Sequence, residues 1–299
     1  MSVPAAYLVI VLTWSTTPLA IQWSADGSSF AFALLARMTL SVALASLILL
    51  AWRRPLPMDA RARRVYLVGG SSLLVAMGLT YWAAGHVRSG LISVLFGLSP
   101  LMTAVMAVSW LGEKGLDRRG VTGIGLAIAG LAVIFLQGEG GGDSLLGLAA
   151  LLLAVTVHSA NLVVIKRIGA DTPPLATTLG TLLVALPGFA LLWWLVDGHL
   201  PAALPTRAAA SIVYLGVFGS VLGFALYFYV LKHLPASRVA LITLMTPVLA
   251  LLLGHAVNGE ALEPRVWLGS AMILIGLALH QWDTLRRLWP RRRAAQAVP

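Results

Sequence analysis

Two apolar segments of this sequence carry polar side chains near their middle. These side chains are the first candidates for a functional site. One segment contains Trp14 and Ser15 within a run of hydroxyl residues, and the other, 144 residues later, contains His158, Ser159 and Asn161. Such groups are costly against lipid unless they face protein or a wet cavity. They could bind the polar groups of a small solute, although hydroxyls that join neighbouring helices are an equally good interpretation.

Two prolines lie inside apolar segments, and each follows a hydroxyl residue. Ser99 precedes Pro100, and Thr246 precedes Pro247. Proline removes a backbone donor and frees a carbonyl one turn earlier, and in a bilayer that carbonyl must find a partner. We expect both prolines to face the interior of a helix bundle, either as paired hinges or broken helices that expose backbone acceptors, or as static kinks.

Titratable groups within the apolar segments are few. His158 is the one mid-segment candidate for proton coupling, although a neutral hydrogen-bonding role is the more common one. Arg37 lies inside the second segment, where we expect it to snorkel outward or to make structural hydrogen bonds, with binding of a solute carboxylate as the alternative. No carboxylate falls at mid-depth, and the sequence contains neither cysteine nor a hydrolase motif. We therefore predict no cofactor, no metal site and no enzyme activity.

We expect these residues to lie on membrane helices. Hydrophobic residues make up 59% of the 299-residue chain and charged ones 11%, with a mean hydropathy of +0.89. That is too little charge to cover a soluble domain, and the apolar stretches are long enough to cross a bilayer. We predict ten transmembrane helices and an all-α membrane protein. The predicted spans are 3–22, 30–52, 65–85, 88–110, 120–136, 144–167, 173–196, 208–231, 236–257 and 264–284.

The second half of the chain repeats the first. Gly112-Glu113 recurs as Gly259-Glu260, at the same offset of 147 residues as the two mid-span prolines. Five spans per copy would place the copies upside down relative to each other, which is typical of secondary transporters. We predict a single membrane domain, 1–299. It consists of a first repeat 1–136, an external linker 137–143, a second repeat 144–285 and a basic tail 286–299.

The net charge of +10 does not indicate nucleic-acid binding, because most of the 21 Lys and Arg residues follow even-numbered spans. By the positive-inside rule, both termini are then cytoplasmic. The basic tail is predicted to anchor on lipid headgroups. The compact all-membrane chain fits a multi-pass protein of a bacterial inner membrane, with the bilayer and a small solute as its partners and no nucleic acid. The sequence leaves monomer and homodimer open.

The spans, the inverted repeat, the Trp14-Ser15 stretch and the Ser99-Pro100 pattern together resemble EamA-type drug/metabolite transporters. Tyr227 and Tyr229 are similar to features of the aromatic amino-acid and paraquat exporter branch. The resemblance implies alternating access and a central cavity lined by spans 1, 3, 4, 6, 8 and 9, with spans 5 and 10 as support. One departure is that many relatives have a lysine near the end of span 1, where this chain has Gln22. The repeat partner of Gln22, Lys166, is retained.

The resulting hypothesis is an exporter of amino acids, aromatic and neutral ones first, and of related metabolites or drugs, acting as a uniporter. A proton-coupled multidrug antiporter and a passive channel remain alternatives. The cavity-lining residues that we predict, which could bind the solute through hydroxyl, amide, imidazole and aromatic groups, are Trp14, Ser15, Tyr81, Ser99, His158, Asn161, Tyr227 and Thr246.

Overall fold

The chain is described here by a computed structural model of residues 2–113, 116–135, 144–169, 172–234, 236–261 and 263–286. Every regular element within these residues is helical. The predicted linker 137–143 lies outside the described residues, as does the predicted tail after Arg286.

Six helices form the first half. They are α1 (Val3–Ser24), α2 (Phe30–Ala51), α3 (Ala60–Ala84), α4 (Ser89–Phe96), α5 (Ser99–Leu111) and α6 (Arg118–Phe135). The second half begins with α7 (Leu145–Ile168) and α8 (Pro174–Val196). It continues with α9 (Thr206–Tyr214), a π-helical segment (Leu215–Leu222), α10 (Gly223–His233), α11 (Ala236–Asn258), α12 (Pro264–His280) and the short α13 (Trp282–Arg286).

Seven apolar helical stretches within the described residues are long and apolar enough to cross a membrane. They are Val3–Ser24, Phe30–Ala51, Ala60–Ala84, Ser89–Leu111, Leu145–Ile168, Pro174–Val196 and Leu241–Asn258. Two shorter apolar stretches, Thr206–Leu222 and Pro264–His280, coincide with predicted spans. The prediction of an all-α chain with many membrane helices is therefore confirmed, while the count of ten crossings stays a prediction.

The repeated Gly-Glu pair is a helix stop. Gly112 and Gly259 both adopt a left-handed φ of +65° just after α5 and α11. The next amide then bonds back over one turn, from Glu113 N to Ala107 O at 3.4 Å and from Glu260 N to Gly254 O at 3.1 Å. Glycine reaches this conformation without strain, and the 6→1 bond satisfies an otherwise free carbonyl. Each glutamate is thereby fixed at the exit of its helix.

Glycines also join the ends of the two halves. A side chain at Gly123 would collide with the backbone of Gly276, and one at Gly130 would lie 2.6 Å from the carbonyl of Gly269. The helices α6 and α12 therefore touch through bare backbone and run antiparallel, since small residues allow close approach of neighbouring helices. Exchanging each glycine for its repeat partner reproduces the same two contacts.

The helices between these ends interlock across the halves. In the first half α3 packs on α7 and α8, and in the second half the α9–α10 region packs on α1 and the π-helical segment on α2. The helix α5 packs on α7, and α11 packs on both α1 and α4. The candidate site residues therefore lie between helices of different halves.

Three local features differ from the predicted spans. The helix α3 begins at Ala60 rather than at residue 65, because the Asp59 side chain accepts from the amides of Arg61 and Ala62 and caps the helix there. The fourth span is broken between α4 and α5 rather than kinked. The span that follows α8 contains eight residues of π-helix.

Candidate functional site

The break between α4 and α5 lies at the first predicted proline. Pro100 occupies the first turn of α5, where its missing amide costs least. Gly97 N still donates to Ser93 O at 3.0 Å in the ordinary α-helical pattern, and only the next amide, Leu98 N, makes a tighter bond over three residues, to Leu95 O at 3.0 Å. The helix is thus interrupted just before Pro100, while a role of this position as a hinge stays a prediction.

The second proline lies in an unbroken helix. Pro247 is inside α11, which is continuous from Ala236 to Asn258. Thr246 beside it is buried. A side chain at Gly97 would contact the Pro247 ring at 3.6 Å, so the break of the first half faces the proline of the second. The break therefore lies against Pro247 at the contact of α4 with α11, and the two prolines are associated with different backbones.

A polar cluster surrounds the break. The hydroxyl of Ser159, on α7, donates to the Ser99 carbonyl at 3.3 Å and lies 3.1 Å from the Ser99 hydroxyl. The His158 ring lies 6.0 Å from the ring of Phe96 at the end of α4. The predicted site residues Ser99 and His158, from different halves of the chain, therefore both lie beside this break, Ser99 against Ser159 and His158 against Phe96.

Two atoms of this region are buried without a hydrogen-bond partner among the described residues. They are the Asn161 amide oxygen on α7 and the Thr103 hydroxyl on α5. Thr103 lies one turn beyond Ser99, and Asn161 lies one turn beyond His158, so both extend the polar faces of the cluster. Buried polar groups are normally bonded, and unsatisfied ones indicate a place for a polar ligand or water.

An aromatic pair lies at the contact of α1 with α10. The rings of Trp14 and Tyr227 are 5.2 Å apart with an interplanar angle of 32°, and both side chains are half-buried. Such a pair offers ring faces to an aromatic or cationic group. Ser15, although predicted to line the cavity, is buried and donates its hydroxyl to Val11 O at 2.6 Å within its own helix.

Tyr81 belongs to a third cluster, built around Arg37. Arg37 on α2 is 5% exposed and donates from Nη1 to the Tyr81 hydroxyl at 3.2 Å and from Nε to the Ser220 hydroxyl at 3.3 Å. Ser220 lies in the π-helical segment and in turn donates to Leu215 O at 3.1 Å. The expectation that Arg37 could snorkel outward is wrong, because neighbouring helices bury its guanidinium. Its structural hydrogen bonds match the other part of that expectation.

Glu260 seals one end of the bundle, which we name the Glu260 end. Its Oε1 accepts from Ser89 N at 3.1 Å, from the Ser89 hydroxyl at 2.6 Å and from Asn258 at 3.0 Å. Asn258 also donates to the Gln22 side chain at 3.2 Å, and Gln22 donates to Val87 O at 2.8 Å. A carboxylate on the first amides of α4 is favoured by the helix dipole. Glu260 is 8% exposed, so the loop after α11 is tied to α4 and α1 by a buried network.

The opposite end, which we name the Glu113 end, has an exposed ion pair instead. Lys166 Nζ lies 2.5 Å from Glu113 Oε1, with side-chain exposures of 65% and 40%. The pair joins the exit of α5 to the last turn of α7. The helices α4 and α5 separate the two ends by roughly 30 Å, at 1.5 Å per helical residue.

Sequence reasoning missed the network at the Glu260 end. Glu260 and Gln22 are the repeat partners of Glu113 and Lys166, and that correspondence was visible in the offsets. Burial of one pair and exposure of the other was not visible, because burial depends on how the halves pack.

Two grooves at the bundle surface are lined mainly by apolar side chains. One of about 310 Å³ lies beside Thr16 and Tyr214, whose hydroxyls are 2.6 Å apart. The other, of about 480 Å³, runs between α3 and α8. Hydrocarbon walls of this kind suit lipid chains better than a charged solute.

Comparison with known proteins gives consistent results. The sequence pattern of the EamA-like transporter family matches this chain twice, over residues 3–136 and 145–280. A "Probable terminal-alkyne amino-acid exporter" of Streptantibioticus cattleyicolor is 32% identical over 97% of this chain and 96% of its own length. Protein PagO of Salmonella typhimurium is 24% identical over 93% and 92% of the two chains. One solved crystal structure matches 97% of this chain and 99% of its own with a TM-score of 0.66 and 22% identity, which shows the fold alone.

Proposed function

Because the chain belongs to the EamA-like transporter family, we propose that it is an alternating-access carrier that exports amino acids, aromatic and neutral ones first, and related metabolites or drugs. Family membership makes it a multi-pass membrane transporter of small solutes rather than an enzyme. In the proposal it crosses a bacterial inner membrane ten times with both termini in the cytoplasm. The Glu260 end then faces outward and the Glu113 end faces the cytoplasm.

In the proposed organisation, the chain consists of two inverted repeats, 1–136 and 144–285, joined by the linker 137–143. The twofold match of the family pattern supports it. So does the antiparallel glycine contact of α6 with α12, which is unchanged when the repeats are exchanged. An odd number of spans per repeat produces this relation.

The observation that carries the proposal is the difference between the two ends. A carrier must close one end of its central site while the other gives access. The buried Glu260 network ties α1, α4 and the loop after α11 together, whereas the Glu113–Lys166 pair is exposed. This combination is the one expected of a conformation closed outward.

The substrate class is supported by the polar and aromatic groups between the halves. The half-buried Trp14–Tyr227 pair suits a flat side chain, and the unsatisfied Asn161 and Thr103 oxygens suit an ammonium or amide group. The name of the Streptantibioticus relative states export of an amino acid by that protein. An aromatic or neutral amino acid presents both kinds of group.

Counterflow into proteoliposomes tests the proposal. Labelled amino acids are offered outside, with and without unlabelled solute inside, and with and without a pH gradient. We expect saturable uptake that internal solute accelerates and that the gradient leaves unchanged. Uptake that neither saturates nor responds to internal solute indicates a channel and contradicts the carrier.

Proton-coupled antiport is the second candidate, and one observation favours it. Oε2 of the buried Glu260 carboxylate has no hydrogen-bond partner among the described residues, so it is a place where a proton could bind. In that case a pH gradient drives uptake, and Glu260→Gln abolishes the drive. If His158 carries the proton instead, His158→Gln abolishes it and Glu260→Gln does not.

A further inference from the structure

The Arg37 guanidinium is a buried charge, and the part of the chain that the structure describes gives it no counter-ion. The partners described for it are neutral: the Tyr81 hydroxyl and ring, with the guanidinium carbon 5.9 Å from the ring centroid, and the Ser220 hydroxyl. None of the ion pairs among the described residues includes Arg37. The sequence offers no carboxylate at the depth of Arg37 within the spans. A buried charge without an opposite charge is strongly unfavourable, so this position calls for an anion from outside the chain.

The absence of a side chain at Gly219 leaves a gap of about one methyl group beside the guanidinium. A Cβ there would lie 3.4 Å from Leu215 Cδ2, 3.5 Å from Nη2 of Arg37 and 3.7 Å from the Thr17 hydroxyl, which are ordinary contact distances. Gly219 belongs to the π-helical segment, a backbone form that often marks functional sites. The hydrogen bonds described for Arg37 use Nε and Nη1, so Nη2 is the nitrogen that faces this glycine.

The aromatic pair lies close to the same gap. Gly219, Gly223 and Tyr227 are four residues apart in succession and so follow one side of the segment and α10. A side chain at Gly223 would lie 3.4 Å from the indole nitrogen of Trp14. One helical turn, roughly 5 Å, therefore separates the edge of Trp14 from the Gly219 gap beside Arg37. An aromatic amino acid has about this distance between its carboxylate and its ring.

The geometry points to Arg37 as the group that binds the carboxylate of the transported solute, with Gly219 leaving the space and the Trp14–Tyr227 pair receiving the side chain. This inference rests on the proposed function and narrows its substrate class to solutes with a free carboxylate. A guanidinium suits this role because it donates two parallel hydrogen bonds to a carboxylate. Tyr81 and Ser220 position Arg37 by holding its other nitrogens.

The transport test compares an aromatic amino acid with its amide, which lacks the negative charge, in proteoliposomes. For Arg37→Gln we expect KM for the acid to rise about 10- to 100-fold, while KM for the amide changes less than about twofold. Arg37→Lys keeps the charge without the fork and should fall between. Arg119→Gln is the matched control, since Arg119 is half-exposed and pairs with the exposed Asp283. A purely structural Arg37 predicts equal losses for acid and amide, and that result would overturn the inference.

A binding test separates this inference from the transport proposal. The purified protein is heated with phenylacetate or with phenylacetamide, and the unfolding temperature is recorded. We expect phenylacetate to stabilise the native protein and not Arg37→Gln, and phenylacetamide to act weakly on both. Arg37-dependent stabilisation without amino-acid uptake would sink the substrate proposal and keep the carboxylate site. Equal stabilisation of both proteins by phenylacetate, or none of the native protein, would contradict the site.

Discussion

The two ends of this molecule are built from equivalent residues and are held in different ways. At the Glu113 end a glutamate follows the helix-stopping Gly112 and pairs with Lys166 in solvent. At the Glu260 end the equivalent glutamate follows Gly259 and is buried against Ser89 and Asn258, with Gln22 beyond. Local sequence sets the same helix stop in both halves, and the packing of the halves decides which glutamate is covered.

The two repeats are related in sequence, yet in this conformation their equivalent residues make different contacts. If the repeats exchange their conformations, the contacts of one end become available to the other, which is how inverted repeats give alternating access. The strengths differ meanwhile. Hydrogen bonds to a buried charge contribute about 1.5–3 kcal/mol, and an exposed ion pair about 0–1 kcal/mol.

The largest effect is expected from neutralising Glu260. Glu260→Gln weakens the bonds that close its end, so a cysteine replacing the buried Ser93, about one turn below Ser89 on α4, should react with a water-soluble maleimide about tenfold faster. The chain has no native cysteine, so the single thiol reports alone. Glu113→Gln is the matched control and should change this rate less than about threefold. Equal effects of the two variants would remove the proposed difference between the ends.

A smaller effect is expected from removing the break. Pro100→Ala restores the amide that can bond the Phe96 carbonyl, so α4 and α5 can join into one helix. We expect the rate of counterflow to fall about fivefold if the break takes part in the motion. Pro247→Ala acts on a helix that is already continuous and should change the rate less than about twofold. A larger loss with Pro247→Ala would assign the moving element to α11.

Gln22→Lys makes the two ends more alike, because lysine is the residue at the equivalent position 166. Gln22 and Glu260 both accept a hydrogen bond from Asn258, so we expect the new ammonium to reach the Glu260 carboxylate and to strengthen the closed end. We expect the Ser93→Cys thiol to react about threefold more slowly, at the scale of a partly exposed ion pair. Adding Glu260→Gln should cancel the effect. Faster labelling in Gln22→Lys would mean that the lysine disrupts the network instead.

The smallest effect concerns Asp59, which caps α3 at the Glu113 end. Hydrogen bonds from the amides of Ala62 and Arg61 hold the pKa of its carboxyl below the usual range. Because the folded pKa is lowered, the stabilisation is present above the unfolded pKa of about 3.9 and is lost as pH falls through the folded value. Asp59→Ala should lower the unfolding temperature slightly at pH 7 and match the native protein in strong acid. Its Ser93→Cys labelling should not change, since the cap is far from that end.

Much of the architecture was predictable because long apolar stretches in a lipid environment have few alternatives to helices. The helix bounds match most predicted spans within two residues. The break at Pro100 and the continuous helix at Pro247 were not distinguishable, since both positions read as hydroxyl-proline. Tertiary contacts decide between them.

Side-chain directions were harder to predict than depth. Ser15 and Tyr81 were both predicted to line the cavity, yet Ser15 bonds its own helix and Tyr81 holds Arg37. Arg37 itself was ambiguous, because one basic residue in a span can snorkel or remain inside. Only packing of α2 against α3 and the π-helical segment resolves that choice.

Alternating access requires that the two ends of the molecule open in turn. Spin labels on a His86→Cys and Val257→Cys variant measure the Glu260 end, and labels on a Trp110→Cys and His233→Cys variant measure the Glu113 end. Distances are recorded in lipid by pulsed electron resonance, with and without a transported amino acid. We expect that when the distance at one end lengthens, the distance at the other end shortens, because the populations of the two conformations shift. Distances that lengthen together at both ends, or a fixed Glu260 end during active transport, would contradict it.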